Sequence, residues 1–316
     1  MSQSTTDLGA AGILIPVPTP FAEDWSVDIA AYDRLLDFYL ARKIGGLFVL
    51  GSYGMGPALS LEERRDLAER TMRRVAGRLP VIIHTGTADS ASTLGLSRHA
   101  AGLGCAALAI IPPYYYRHSD EEVRRHFQLV ADAVALPLVL YDNPDFCGYS
   151  FTPGAFAALI KACPSVRGIK VAYGDGDAMF ALAQRGGAGF RVYSGWPSFI
   201  RARADFGVSG VINPTTTAIP EVLQALWDAE PASPLAERLQ RRVNAFMMVM
   251  MELSKRLGRG AQAAALNCRG LGLRRYPRWP VPDIPASDQA LLQREVDAIL
   301  QEIGVAAREP LAAQSL

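Results

Sequence analysis

Short, nearly unbroken apolar runs recur along the chain, separated by longer segments in which apolar residues return every three or four positions. The runs are GILIPVPTP (12–20), GGLFVLG (45–51), PVIIHTG (80–86), AALAIIPP (106–113), PLVLYDNP (137–144), VRGIKVA (166–172), FRVYSG (190–195) and VSGVINP (208–214), eight in all. They have strand length and do not alternate apolar with polar, which is the pattern of strands buried on both faces. The segments between them open with helix-start signals. Ser60-Leu61-Glu62-Glu63 and Ser119-Asp120-Glu121-Glu122 fit the capping box, and Thr152-Pro153 offers an N-cap followed by proline at the first helical position.

Strand followed by helix, eight times within the first 230 residues, predicts an α/β fold of the (β/α)8 barrel type, with right-handed crossovers returning each strand parallel to the last. A doubly wound open sheet would need fewer strands and a switch point, and neither is suggested. Beyond Glu230-Pro231 the pattern is helical only: PASPLAERLQRRVNAFMMVMMELSKRL, a proline-rich segment RRYPRWPVPDIP (274–285), and an amphipathic helix from about 287 to 303. The expected organisation is therefore a barrel over 1–230 and a C-terminal helical region over 231–316 packed on it.

A barrel of this kind carries its chemistry at the C-terminal strand ends and the loops that follow. Those ends read Thr19, Gly51-Ser52-Tyr53-Gly54, His84-Thr85-Gly86, Pro112 to Tyr116, Tyr141-Asp142-Asn143-Pro144, Lys170, Ser194-Gly195 and Ile212-Asn213-Pro214. Of the four histidines only His84 falls at such an end, and there is no HxH pair, which argues against a catalytic metal. No GxSxG elbow appears, and the glycines at 51, 54 and 56 do not make the dinucleotide fingerprint.

Lysine usage points elsewhere. The chain has 28 arginines and four lysines; Lys43, Lys161 and Lys255 fall on helices or their ends, and Lys170 alone falls in a strand. The structural alternative is an ion pair with a buried carboxylate, and the lack of Asp or Glu within the predicted strand cores argues against it. Burial disfavours the ammonium form, and a free amine facing a ketone forms a Schiff base whose iminium nitrogen is an electron sink. Such a reaction needs a proton shuttle, for which the Tyr141 phenol one strand earlier is suited, and an anchor for a carboxylate, which Ser52 and the amides of Gly51 to Gly54 can form.

Composition narrows the partners. Half of the 316 residues are apolar and the net charge is +1, with both signs mixed throughout, so no basic face for nucleic acid is expected. The N-terminal MSQSTTDLGAAG lacks a signal pattern, and no apolar run approaches the roughly 20 residues that span a bilayer, making the cytoplasm the expected compartment. Cys105, Cys147, Cys163 and Cys268 lack CxxC spacing and read as buried or incidental thiols.

PVPTPF, GSYG followed by SLEER, PPYYYRHSDEE, LYDNP with Gly148, GIKVAYGD and GVSGVINP, in this order, resemble the dihydrodipicolinate synthase and N-acetylneuraminate lyase superfamily of class I, pyruvate-handling aldolases. The resemblance implies that Lys170 forms a Schiff base with a 2-oxo acid and that Tyr141 transfers protons. It implies further that Tyr115 reaches into a neighbouring subunit's site, that the turn at Ser52 and Tyr53 binds the carboxylate, and that the Ile212 backbone faces the site. It also implies a homo-oligomer, a tetramer built from dimers, with no metal or organic cofactor.

Three departures stand out. Tyr53 replaces a small hydroxyl residue, Met55 replaces a glutamate, and Phe146 stands where the synthases carry an arginine for the carboxylate of their aldehyde substrate. A ring cannot make the two-pronged charged contact of a guanidinium. The expectation is thus a Schiff-base lyase acting on pyruvate or another 2-oxo acid and an aldehyde, by aldol cleavage or condensation or by dehydration of a 2-oxo-3-deoxy sugar acid. Tyr53, Met55 and Phe146 would line an apolar second-substrate side, with Asp145, Asn143, Ser194 and Trp196 available to hydroxyls. The alternatives are a dihydrodipicolinate synthase proper, against which Phe146 speaks, and a non-catalytic ligand-binding barrel.

Overall fold

A computed structural model describes residues 8–307; the first seven residues of the polar N-terminal segment and the end of the C-terminal region lie outside the described residues. In chain order the elements are β1 (Gly12–Pro16), α1 (Ile29–Leu40), β2 (Gly46–Val49), α2 (Leu61–Val75), β3 (Val81–His84), α3 (Ser90–Gly102), β4 (Ala107–Ile110), α4 (Asp120–Ala133), β5 (Leu138–Asp142), α5 (Pro144–Cys147), α6 (Pro153–Ala162), β6 (Val166–Val171), α7 (Gly176–Gly186), β7 (Arg191–Ser194), β8 (Val208–Val211), α8 (Pro220–Asp228), α9 (Pro234–Leu257), α10 (Gly260–Cys268) and α11 (Ala286–Gln301).

Each of the eight apolar runs contains one strand, and the strands close into a parallel barrel in the order β1 to β8, with β8 pairing back to β1. Most runs extend past the end of their strand, because the residues at the barrel rim remain buried after the ladder stops: Leu50, Ile111 and Ile212 are 2 %, 3 % and 0 % exposed. The predicted helix starts are present. Ser60 with Glu63 and Ser119 with Glu122 form reciprocal capping boxes, and the Thr152 hydroxyl accepts from the Ala155 N–H ahead of Pro153.

Two compact units are distinguished. The first holds the described residues through Pro18 and Ile44–Asn213. It comprises the whole barrel and helices α2 to α7, with α2 on α3, α3 on α4, α4 on α6 and α6 on α7. Inside it, Tyr193 of β7 is fully buried and donates to the Ala10 carbonyl at 2.7 Å, filling the interior toward the N-terminal strand ends. A Cβ on Gly210 of β8 would stand 2.9 Å from that ring and 2.7 Å from the Gly12 carbonyl oxygen, so glycine is what lets β7, β8 and β1 close around the tyrosine.

The second unit holds Thr19–Lys43 and the described residues from Pro214 on. Its helices are α1 and α8 to α11, with α10 against both α9 and α11, and α8 against α9. A buried polar centre ties it together: the Arg269 guanidinium donates to the carbonyls of Ala218 (2.6 Å) and Ala307 (2.8 Å) and to the Glu221 carboxylate (2.6 Å), which also receives Arg42 (2.5 Å). No helix among the described residues is long and apolar enough to cross a membrane.

Candidate active site

Strands β5 and β6 set Tyr141 and Lys170 side by side, as register partners in a parallel pair whose side chains project to the same face. Lys170 is 6 % exposed, and its Nζ lies 4.1 Å from the Tyr141 ring centroid and 5.0 Å from that of Phe48 on β2. The amine is therefore walled by rings, a setting that attracts a cation through the aromatic faces while denying it bulk water.

The Tyr141 phenol oxygen receives the Asn143 amide at 2.9 Å and the Ser52 hydroxyl at 3.3 Å. Burial pushes this phenol up, but the charge of Lys170 and hydrogen bonds from Ser52, Lys170 and Asn143 outweigh it and leave the group below its ordinary 10.0. A tyrosine so held can surrender and regain a proton near neutrality more readily than a free phenol.

Ser52 reaches Tyr141 because the chain after β2 turns sharply. Leu50 and Met55 take left-handed backbone angles, φ 61° and 56°, and the Gly56 N–H closes the turn on the Gly51 carbonyl at 3.0 Å. A Cβ on Gly51 would lie 2.4 Å from Phe48 Cε1, and one on Gly56 would lie 2.0 Å from the Leu50 carbonyl oxygen, so both positions demand glycine. Tyr53 and Met55 are buried, at 4 % and 2 % exposure, whereas Phe146 on the short helix α5 is 51 % exposed. Of the three residues expected to line an apolar second-substrate side, Phe146 is the one that presents a large open surface.

Tyr115 stands outside this cluster. It is 88 % exposed, holds φ at 81° in the loop after β4, and packs its ring edge-on against Tyr116 at 5.1 Å. Ile212 is fully buried just past β8, and its N–H is taken by the Ser194 carbonyl at 2.9 Å, so the backbone group it can offer a ligand is its carbonyl. Two of the groups expected to serve substrate hydroxyls are engaged within the protein instead: the Ser194 hydroxyl donates to the Trp196 carbonyl and accepts the Trp196 backbone N–H, at 3.1 and 3.0 Å, and the Trp196 indole N–H donates to the Ala172 carbonyl at 3.2 Å. The third, Asn143, is 7 % exposed and engaged with Tyr141, and Asp145 faces solvent.

Two buried groups near the cluster were not anticipated from sequence. Asp142 ends β5 and is 1 % exposed, which corrects the expectation that no carboxylate falls within a strand. It accepts the Tyr173 hydroxyl at 2.7 Å, its other oxygen has no hydrogen-bond partner, and burial pushes its carboxyl up to about 6 against the Tyr173 and Phe151 hydrogen bonds. His84 is 2 % exposed with neither ring nitrogen bonded, and its ring stands perpendicular to Tyr141 at 5.8 Å. Burial, followed by the charges of Arg64 and Lys170, holds the imidazole well below 6.5, so it is neutral. Arg64 itself, 2 % exposed, donates to the His84 and Gly86 carbonyls at 2.8 and 3.1 Å and braces the end of β3. His84 carried a sequence signal as the single histidine at a strand end; Arg64, inside a helix of ordinary amphipathic pattern, carried none.

Among the described residues, no group of three or more His, Cys, Asp or Glu is placed to hold a metal ion, and all four cysteines are free and buried. What converges on one point is an amine, a phenol and two neutral hydrogen-bond donors, the equipment for proton transfer around a covalent imine.

Residues 9–302 match the model of the Dihydrodipicolinate synthetase family. An N-acetylneuraminate lyase of Rhizobium meliloti (strain 1021) is 33% identical over 293 residues, covering 92% of this chain and 95% of the relative. A 4-hydroxy-tetrahydrodipicolinate synthase of Azoarcus sp. (strain BH72) is 32% identical over 234 residues, 74% of this chain and 79% of the relative. Among solved structures, the dihydrodipicolinate synthase of Thermotoga maritima superposes with a TM-score of 0.81 at 25% identity, covering 94% of this chain and 99% of that one. A Ruminococcus gnavus sialic acid aldolase, solved as a catalytic lysine mutant, shares the fold with a TM-score of 0.83 at 22% identity over 93% of this chain and 97% of that one.

Proposed function

The chain belongs to the Dihydrodipicolinate synthetase family and is a lyase of the class I aldolase type, and from that premise we propose that Lys170 condenses with pyruvate or another 2-oxo acid. The observation that carries the reading is the buried Lys170 amine set against the Tyr141 phenol, which itself receives Ser52 and Asn143. In this reading Tyr141 moves the protons of imine formation, and Ser52 with the amides around Tyr53 holds the substrate carboxylate. The Ile212 carbonyl borders the site. The iminium supplies the electron sink, so the reaction needs neither metal nor organic cofactor.

The second substrate meets Phe146. Its half-exposed ring offers no charge to a second carboxylate, which favours an uncharged or aromatic aldehyde, or the polyhydroxylated tail of a 2-oxo-3-deoxy sugar acid, over the carboxylated aldehyde of the synthases. The reaction is then aldol cleavage or condensation, or dehydration. Tyr115, exposed and backbone-strained, suits a residue supplied to a neighbouring subunit in a homotetramer assembled as a dimer of dimers in the cytoplasm.

Turnover separates these readings. The wild type and Lys170→Ala are incubated with a panel of 2-oxo-3-deoxy acids, and with pyruvate plus aromatic, aliphatic or carboxylated aldehydes, while pyruvate release or consumption is followed. Lysine-dependent turnover of an uncharged or sugar-acid substrate supports the proposal. Turnover confined to the carboxylated aldehyde would make the protein a synthase, and no difference between wild type and variant would leave a non-catalytic barrel.

A further inference from the structure

Asn143 sits at the N-cap of α5, where its carbonyl accepts the Phe146 and Cys147 N–H groups at 3.0 and 3.2 Å, so its backbone is held. Its side chain is free of that capping and is aimed at Tyr141, Nδ2 standing 2.9 Å from the phenol oxygen. An amide N–H can only donate, and a phenol oxygen can accept two hydrogen bonds beside its own O–H. Together with Ser52 at 3.3 Å, the phenol oxygen is thereby surrounded by donors, an arrangement suited to a phenolate rather than to a neutral phenol.

The chemistry of imine formation produces that species. The Lys170 amine adds to the ketone, forming the C–N bond, and one nitrogen proton passes to the former carbonyl oxygen to give a neutral carbinolamine. Tyr141 then protonates the carbinolamine hydroxyl, the C–O bond breaks, water leaves, and the nitrogen lone pair closes the C=N bond. The products are an iminium cation, one water and the Tyr141 phenolate. The phenolate next removes a proton from the carbon adjacent to the iminium, whose C–H electrons flow into a neutral enamine, and Tyr141 is a phenol again. Burial penalises the phenolate at the midpoint of this cycle, and a donor fixed by the backbone offsets that penalty without reorganising.

Resting on the Schiff-base reading of Lys170 and Tyr141, we infer that Asn143 is a positioning residue whose amide N–H stabilises the Tyr141 phenolate and so sets the rate and pH dependence of enamine formation. This role belongs to the Tyr141-Asp142-Asn143 sequence of this chain, which places an amide two residues beyond the phenol.

Exchange of the pyruvate methyl protons for deuterium, followed by proton NMR in D2O across about pD 5 to 9, reads enamine formation without any second substrate. Wild type, Asn143→Leu, Asn143→Asp and Lys170→Ala are compared, and thermal melts check folding. Asn143→Leu, which removes one hydrogen bond to a charged group, is expected to slow exchange about tenfold near neutrality and to move the rising limb of the pD profile up by about one unit. Asn143→Asp, nearly the same shape but accepting where the amide donates, moves the limb at least as far and carries the test alone if the leucine variant does not fold. An unchanged limb in a folded variant, with wild type exchanging faster than Lys170→Ala, overturns the role of Asn143 and leaves the Schiff base standing. Wild type exchanging no faster than Lys170→Ala overturns both.

Discussion

Replacing Asp142 by asparagine should make the protein more stable, and more so above about pH 6 than at about pH 4. The carboxyl is 1 % exposed, with one oxygen unbonded, and is pushed up from 3.8 to about 6 in the folded chain. Between those two pH values the folded state holds a proton that the unfolded state has released. Stability rises with pH only where the unfolded state binds more protons, so here the Asp142 contribution falls as pH climbs from about 4 to about 6 and stays low above. Two pH units at about 1.4 kcal/mol each give a penalty of about 3 kcal/mol near neutrality. Asparagine keeps an oxygen for the Tyr173 hydroxyl and carries no charge. The groups nearest it, Cys147, Tyr149 and Tyr173, are themselves acids that burial pushes up, and do not titrate in this window. Urea unfolding followed by circular dichroism at about pH 4 and about pH 7.5 should show wild type and Asp142→Asn close together at the lower pH and separated by up to about 3 kcal/mol at the higher. An equal difference at both pH values would refute the argument that the buried charge is what costs stability.

Three further outcomes are expected. Tyr141→Phe keeps the ring against Lys170 but removes the phenol, and steady-state kinetics should show kcat lower by about two to four orders of magnitude with the fold intact. Phe146→Arg restores a guanidinium at a half-exposed position, and kcat/KM for a carboxylated aldehyde should rise about tenfold or more relative to an uncharged one. Arg269→Met strips two carbonyls and the Glu221 carboxylate of a side chain that is 0 % exposed, leaving Arg42 as the acid's remaining cation; chemical denaturation should show a loss of about 3 to 5 kcal/mol.

The barrel was legible because each strand is buried on both faces and must be apolar throughout, which leaves eight runs with polar helix starts between them. Lys170 and Tyr141 were legible for the complementary reason, that a lysine and a phenol among such runs contradict their surroundings. The pairing of Tyr141 with Asn143 was not, because a side chain one position beyond a strand end can turn to solvent or back to the barrel, and the cap of α5 decides which. Asp142 was hidden by its place at the last residue of β5, where a carboxylate reads as rim. Tyr53 and Met55 could be marked as unusual, but their burial follows from the left-handed turn at Leu50 and Met55, which no periodicity announces.

The most direct test of the Lys170 claim is to trap the imine itself. The protein is incubated with pyruvate, reduced with borohydride and digested, and the peptides are mapped by mass spectrometry. A reduced pyruvate adduct is expected on the peptide that carries Lys170, absent without pyruvate and absent in Lys170→Ala. An intact wild-type protein with no adduct, or an adduct that survives the loss of Lys170, would contradict the claim.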